Sequence, residues 1–187
     1  MSTPNTNAPL RVAVVGASGI GKNHARWFHQ HGCDVCAFAG SSPESVERTA
    51  KVLEGGFGFS GRGYHDLERM LQTERPDIVC ISSPPPLHYR QALACLDAGA
   101  HVLCEKPLVY DAAKTVDELR AEAGELVQRA AAAGVLLGTQ IQYAAVAPQI
   151  LAMADVSAPE LRQFSMVMET KNVKENRSHE QLWVDLA

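Results

Sequence analysis

Apolar and polar positions alternate in blocks along this chain, and the blocks change period. Short, nearly unbroken apolar runs predict strands at Arg11–Val15, Cys33–Ala39, Asp77–Ser83, His101–Cys104 and Val135–Ile141. Between them lie segments with helical spacing. These predict helices from Ile20 to His31, from Ser41-Ser42-Pro43-Glu44 to Glu54, over Asp66–Gln72, over Leu87–Ala98 and over Asp111–Ala133. Gly55–Gly61, rich in glycine, reads as a loop with a short strand nearby. Strands buried on both faces read as continuous apolar runs, and strands separated by helices of this length make βαβ units. The predicted fold class is a doubly wound parallel α/β sheet, Rossmann-like, followed by the start of a second α/β domain.

The texture changes after about Pro148. Phe164–Thr170 resembles a strand with no βαβ partner, and Lys171–Glu180 is polar. The expected organisation is a disordered tail over 1–10, a dinucleotide-binding domain over 11–148, and an incomplete substrate or oligomerisation domain over 149–187.

Composition narrows the class. The chain has 187 residues, 17 Lys+Arg against 21 Asp+Glu, a net charge of −4 and 46% hydrophobic residues. A mildly acidic, ordinarily hydrophobic chain does not point to nucleic acid. No apolar run is long enough to span a bilayer, and MSTPNTNAPL lacks the apolar core of a secretory signal. The expected compartment is the cytoplasm, with no membrane partner. The cysteines 33, 36, 80, 95 and 104 are odd in number and lie mostly in apolar runs, as buried thiols do. Cys33 and Cys36 form a C-x-x-C, but no second pair accompanies it, so core packing is preferred to a redox or zinc site.

Chemistry concentrates where strands end. Gly16-Ala17-Ser18-Gly19-Ile20-Gly21 follows the first strand and opens the first helix. Free N–H groups and the partial positive charge at a helix start suit a pyrophosphate. Gly16 permits a tight turn and Gly21 close helix–strand packing; Ser18 replaces the usual middle glycine. A plain strand–helix turn is the bland alternative. After the second strand, Ala39-Gly40-Ser41-Ser42 carries no carboxylate for a ribose 2′-hydroxyl, whereas Ser41 and Ser42 offer hydroxyls at a helix start. That balance leans to NADP over NAD, with Arg48 a further candidate. Helix capping explains the two serines equally well.

Three segments, GASGIGKNHA from Gly16, SSPPPLH from Ser82 and GAHVLCEKPL from Gly99, together resemble the Gfo/Idh/MocA oxidoreductases over roughly residues 10–150. The resemblance implies a cofactor domain that places Glu105, Lys106 and Pro107 beside the nicotinamide. Lys106 would then exchange a proton with the substrate, Glu105 would hold Lys106 or touch the nicotinamide end, and Ser82, Ser83 and Pro84 would line the cofactor channel. His88 has two readings, a cofactor neighbour or a helix cap. His24 is expected to pack or hydrogen-bond beneath the glycine loop. Tyr143 resembles the family's lead into its second domain. Asp185, in Leu182-Trp183-Val184-Asp185, resembles the first residue of a D-x-x-x-H pair whose histidine would fall beyond Ala187. The implied substrate is a small sugar or polyol, oxidised or reduced at a carbinol carbon, and the full-length form is expected to be a homo-oligomer. A non-catalytic dinucleotide-binding module is the competing function.

Overall fold

The computed structural model describes residues 8–141 and Ala152. Its strands are β1 Arg11–Val15, β2 Asp34–Ala39, β3 Arg62–Tyr64, β4 Ile78–Ile81, β5 His101–Glu105 and β6 Leu137–Gln140. Its helices are α1 Gly21–Gln30, α2 Pro43–Phe57, α3 Leu67–Glu74, α4 His88–Asp97 and α5 Val116–Ala133, with a 3-10 turn at Pro85–Leu87 before α4. The sheet order is β3-β2-β1-β4-β5-β6, and β1 pairs in parallel with both β2 and β4. The order reverses between β1 and β4, which opens a crevice at the carboxyl ends of those strands.

The apolar runs become the core as their pattern requires. Val12, Ala13, Val14, Val79 and Ile81 are fully buried because helices cover both faces. One helical layer packs around Met70, Cys95, Leu96 and Leu126, the other around Phe38, Leu53 and Phe59. The C-x-x-C resolves into packing. Pairing shifts register between Val12 and Ala13, so Cys36 is the extra residue of a bulge in β2, and its buried thiol donates to the Val12 carbonyl at 3.4 Å. Burial pushes the Cys36 thiol up to about 11, away from the thiolate that metal or redox chemistry needs.

Two element boundaries depart from the sequence pattern by three residues or more. α2 runs through Gly55 and Gly56 to Phe57, where a loop was expected. The Phe57 ring packs against Phe59 and His29, and that packing overrides the low helix propensity of the glycines. The helix stops at Gly58, whose φ of 73° is left-handed. α5 begins at Val116, not at Asp111. The Asp111 side chain accepts from the Ala113 N–H at 2.9 Å and holds a local turn, while Thr115 and Glu118 form a capping box.

Candidate dinucleotide site

β1 ends at Val15, and the chain must turn sharply to enter α1. Gly16 makes that turn with φ 82°, its N–H donating to the Ala39 carbonyl at 2.9 Å. A Cβ on Gly16 would lie 2.7 Å from the backbone of Ser82 and Ser83. One on Gly21 would lie 2.6 Å from the Gly16 carbonyl oxygen. Glycine is therefore required at both ends of the loop, as the sequence suggested. At Gly19 nothing lies within 4 Å of a built Cβ, so its small size serves no contact within the chain.

The helix starts differ in chemistry. Side chains cap α2 (Ser42 accepts from the Ser45 N–H at 3.2 Å), α3 (Asp66) and α5 (Thr115), and each carries an acidic residue in its first turn. α1, like α4, has no side-chain cap and no acidic residue in its first turn. Its partial positive charge is left uncompensated by the chain.

A cleft of ≈ 920 Å³ opens at this edge. Gly16, Ala17 and Ser18 line it from the glycine loop, Gly40 and Ser41 from the end of β2, and Ser83 and Pro84 from the end of β4. Five of the residues singled out in the sequence, Gly16, Ser18, Ser41, Ser83 and Pro84, thus share one cavity wall. Others have different settings. Ser42 spends its hydroxyl on the α2 cap. Ser82 presents its Cβ to Gly21 and its N–H to the Val15 carbonyl. Ile20, at the N-cap of α1, is 42% exposed.

The sequence reading missed several lining residues. Ser45 and Thr49, one helical turn apart on α2, face the cleft, as do His65 and Arg90. The i, i+4 spacing of Ser45 and Thr49 was a usable signal. His65 and Arg90 reach the cleft through topology, which no local pattern encodes. Gln91 lines it too, and its Oε1 accepts from the Ser83 hydroxyl at 2.5 Å.

Register carries the neighbouring strand to the same edge. Ile81 pairs with Cys104, so Glu105, Lys106 and Pro107 follow β5 level with Ser82 and Ser83. The Lys106–Pro107 peptide is cis. Lys106 is half-buried. Glu105 is held from two sides: His24 Nε2 lies 2.7 Å from Oε1, and the Lys106 N–H donates to Oε2 at 3.2 Å. His24 is 3% exposed and meets Trp27 edge-on, so it anchors α1 to the end of β5 from beneath the loop. His88 is 1% exposed, with Nδ1 2.8 Å from the Pro107 carbonyl oxygen and Nε2 2.8 Å from that of Ser83. Its ring is engaged with backbone, neither capping α4 nor open to the cleft. Tyr143 and Asp185 lie outside the described residues.

A loop that excludes a Cβ at Gly16 and Gly21, an uncapped helix start and a cleft at the switch point fit a dinucleotide. The comparisons with known proteins agree. Residues 10–140 match the family described as an oxidoreductase family with an NAD-binding Rossmann fold. The chain belongs to the Gfo/Idh/MocA oxidoreductase family. Among similar Gfo/Idh/MocA proteins is the D-glucoside 3-dehydrogenase of Escherichia coli, 34% identical over 57% of this chain and 30% of that protein. Another is the inositol 2-dehydrogenase of Rhodococcus erythropolis, 34% identical over 63% of this chain and 33% of that protein. The chain spans about a third of the length of these relatives. A WlbA dehydrogenase from Chromobacterium violaceum, solved with NADH and UDP-GlcNAcA, superposes with a TM-score of 0.66 at 27% identity, covering 82% of this chain and 41% of that one. An NAD binding oxidoreductase from Klebsiella pneumoniae gives 0.62 at 29% identity, over 79% and 40%. Among the described residues no helix is long and apolar enough to cross a membrane.

Proposed function

We propose that this chain is the cofactor domain of an NAD(P)-dependent oxidoreductase acting on a carbinol carbon of a sugar or polyol. One observation carries the reading: the uncapped start of α1 and the Glu105-Lys106-Pro107 turn lie at one sheet edge, joined by the His24–Glu105 contact. The domain is taken to run over 11–148, with 149–187 opening a substrate domain that also assembles the full-length protein into a homo-oligomer. The cytoplasm remains the compartment proposed.

When bound, the dinucleotide supplies hydride acceptance and donation. The chain's own residues do the rest. The α1 N–H groups and the Ser18 hydroxyl bind the pyrophosphate oxygens. Gly16 makes the tight turn that carries the chain from β1 toward those N–H groups. Lys106 takes the hydroxyl proton from the substrate in oxidation and returns it in reduction. Glu105, fixed by His24, receives the Lys106 N–H and sets the direction in which the lysine leaves the strand. Asp185 is assigned to the catalytic set on the family resemblance.

NADP is the preferred cofactor on the chemistry of the β2 end. Gly40 stands where a ribose-binding carboxylate would repel a 2′-phosphate. Ser41, Ser45 and Thr49 offer hydroxyls along one wall, and His65 and Arg90 bring cationic capacity to the same cleft. Asp66 and Glu68 also line it, the first engaged in capping α3. Titration of the chain with NADPH and NADH tests the choice. Tighter NADPH binding supports it; tighter NADH binding keeps the domain and replaces the cofactor. A Lys106→Ala substitution in the full-length enzyme tests catalysis: turnover should fall by about 10²–10⁴-fold with dinucleotide affinity kept. Undiminished turnover would favour a role for Lys106 confined to binding.

A further inference from the structure

The cleft has two sides of different chemistry. Toward α2 it is lined by the hydroxyl residues Ser41, Ser45 and Thr49. Register brings the start of α3 to the same edge. Ala39 pairs with Tyr64, so the residues after β3 emerge level with Gly40 and Ser41. α3 packs against α4, and Leu67 and Ala94 rest on one core layer. Between the starts of these helices the cleft is lined by Leu67, Leu87 and Ala94, each half-buried.

Two carboxylates, Asp66 and Glu68, line the cleft beside these apolar side chains. Negative charge is a poor neighbour for phosphates, so each carboxylate needs a reason to be there. Asp66 has one: its Oδ1 accepts from the Arg69 N–H at 3.0 Å and caps α3. Glu68 is exposed, and among the described residues its carboxylate takes part in no hydrogen bond or ion pair. A charge at the start of α3 is favourable, but Asp66 already supplies it.

We propose that Glu68 selects the base of the dinucleotide, by accepting a hydrogen bond from the 6-amino group of its adenine. The proposal rests on the reading of this cleft as a dinucleotide site. Pyrophosphate at the start of α1 and nicotinamide toward β5 leave the β2 side, with the start of α3, for the adenosine half. A purine has apolar faces and a polar edge. Leu67, Leu87 and Ala94 offer apolar surface to the faces, and one placed polar group reads the edge, the usual division of labour in a ligand site. Adenine presents an amine donor at the position where guanine presents a carbonyl acceptor. Hypoxanthine carries the same carbonyl. A carboxylate only accepts, so it gains a partner from adenine and meets a second acceptor in the other two.

The test titrates the full chain with NADPH and NADH, each against its hypoxanthine counterpart, in which a ring carbonyl replaces the 6-amino group. Nicotinamide fluorescence reads the binding. The wild-type chain should hold the adenine forms about tenfold more tightly. In Glu68→Gln that ratio should fall to about one, because a side-chain amide accepts from the amine and donates to the carbonyl. A Glu68 that acted only through its charge on the phosphates would behave differently: Glu68→Gln would tighten both forms alike and leave the ratio in place. That result, or equal affinities in the wild-type chain, would overturn the proposal. If Glu68→Gln fails to fold, Glu68→Ala takes its place, with the same fall in the ratio expected. Equal binding of the adenine and hypoxanthine forms removes the base contact and keeps the dinucleotide site; binding of neither removes both.

Discussion

The two ends of the sheet use polar groups in opposite ways. At the amino ends of the strands, charges satisfy one another. Arg11 bridges Asp34 and Glu74, each at 3.1 Å, and its N–H donates to Asp77 at 2.8 Å. Glu74, with only 10% of its side chain exposed, also accepts from the Tyr64 hydroxyl at 2.5 Å and pairs with Arg62 at 3.5 Å. At the carboxyl ends, buried side chains instead hold backbone in place: His88 takes two carbonyls, and Glu105 receives the Lys106 N–H. The Gly16–Ser18 loop and Ser41 are left facing a cleft. One edge closes its electrostatics and holds the fold together; the other keeps groups available for a ligand.

The largest expected effect comes from the glycine loop. Gly16→Ala places a methyl 2.7 Å from the Ser82–Ser83 backbone at a φ of 82°. It should cost about 3 kcal/mol or more in urea denaturation and abolish dinucleotide binding. Gly19→Ala, facing open space, should leave stability within about 0.5 kcal/mol. Equal losses from the two would dissolve the claim that Gly16 is held by contact.

Glu74→Gln removes the ion pairs of Glu74 with Arg11 and Arg62. It should lower stability by about 1–3 kcal/mol with NADPH affinity unchanged, since the cleft lies at the other end of the sheet. A matching drop in affinity would mean that the edges are coupled.

Buried thiols sharpen the contrast between core and surface. Burial raises Cys36 and Cys80 to about 11 and Cys95 to about 12, from an ordinary 9.0. Above pH 9 the unfolded chain sheds thiol protons that the folded chain keeps. Stability therefore falls as pH rises from 9 toward 11–12 and does not change through these groups below 9. Tyr64 and Tyr89, also raised, act in the same direction at higher pH. The urea midpoint at pH 10 should lie below that at pH 8; an unchanged midpoint would mean the thiols titrate alike in both states. The smallest effect is Thr115→Ala, which removes the α5 cap and should cost about 1 kcal/mol with no change in binding.

Fold and site were not equally legible in the sequence. The parallel sheet followed from apolar runs of strand length, because burial on both faces leaves no polar alternation to misread. Gly16 and Gly21 were readable because contact geometry at a strand–helix turn tolerates only glycine. The Gly55-Gly56 stretch misled, since packing of Phe57 outweighed propensity. Asp111 misled as well, because an aspartate that opens a helix and one that holds a turn look alike in sequence. His88 and Glu105 were found through the family pattern, but their roles depend on which backbone groups the strand ends bring near, and no local spacing records that. His65 and Arg90 had no signal, since only the sheet order brings α3 and α4 to the end of β2.

The central claim is that the carboxyl edge of this sheet binds a nicotinamide dinucleotide. Titration of the folded chain with NADPH and NADH, followed by nicotinamide fluorescence and by the emission of Trp27 beside His24, tests it most directly. The account predicts saturable binding to one site, tighter for NADPH, kept in Glu74→Gln and lost in Gly16→Ala. A chain that is folded by circular dichroism and binds neither dinucleotide would contradict it.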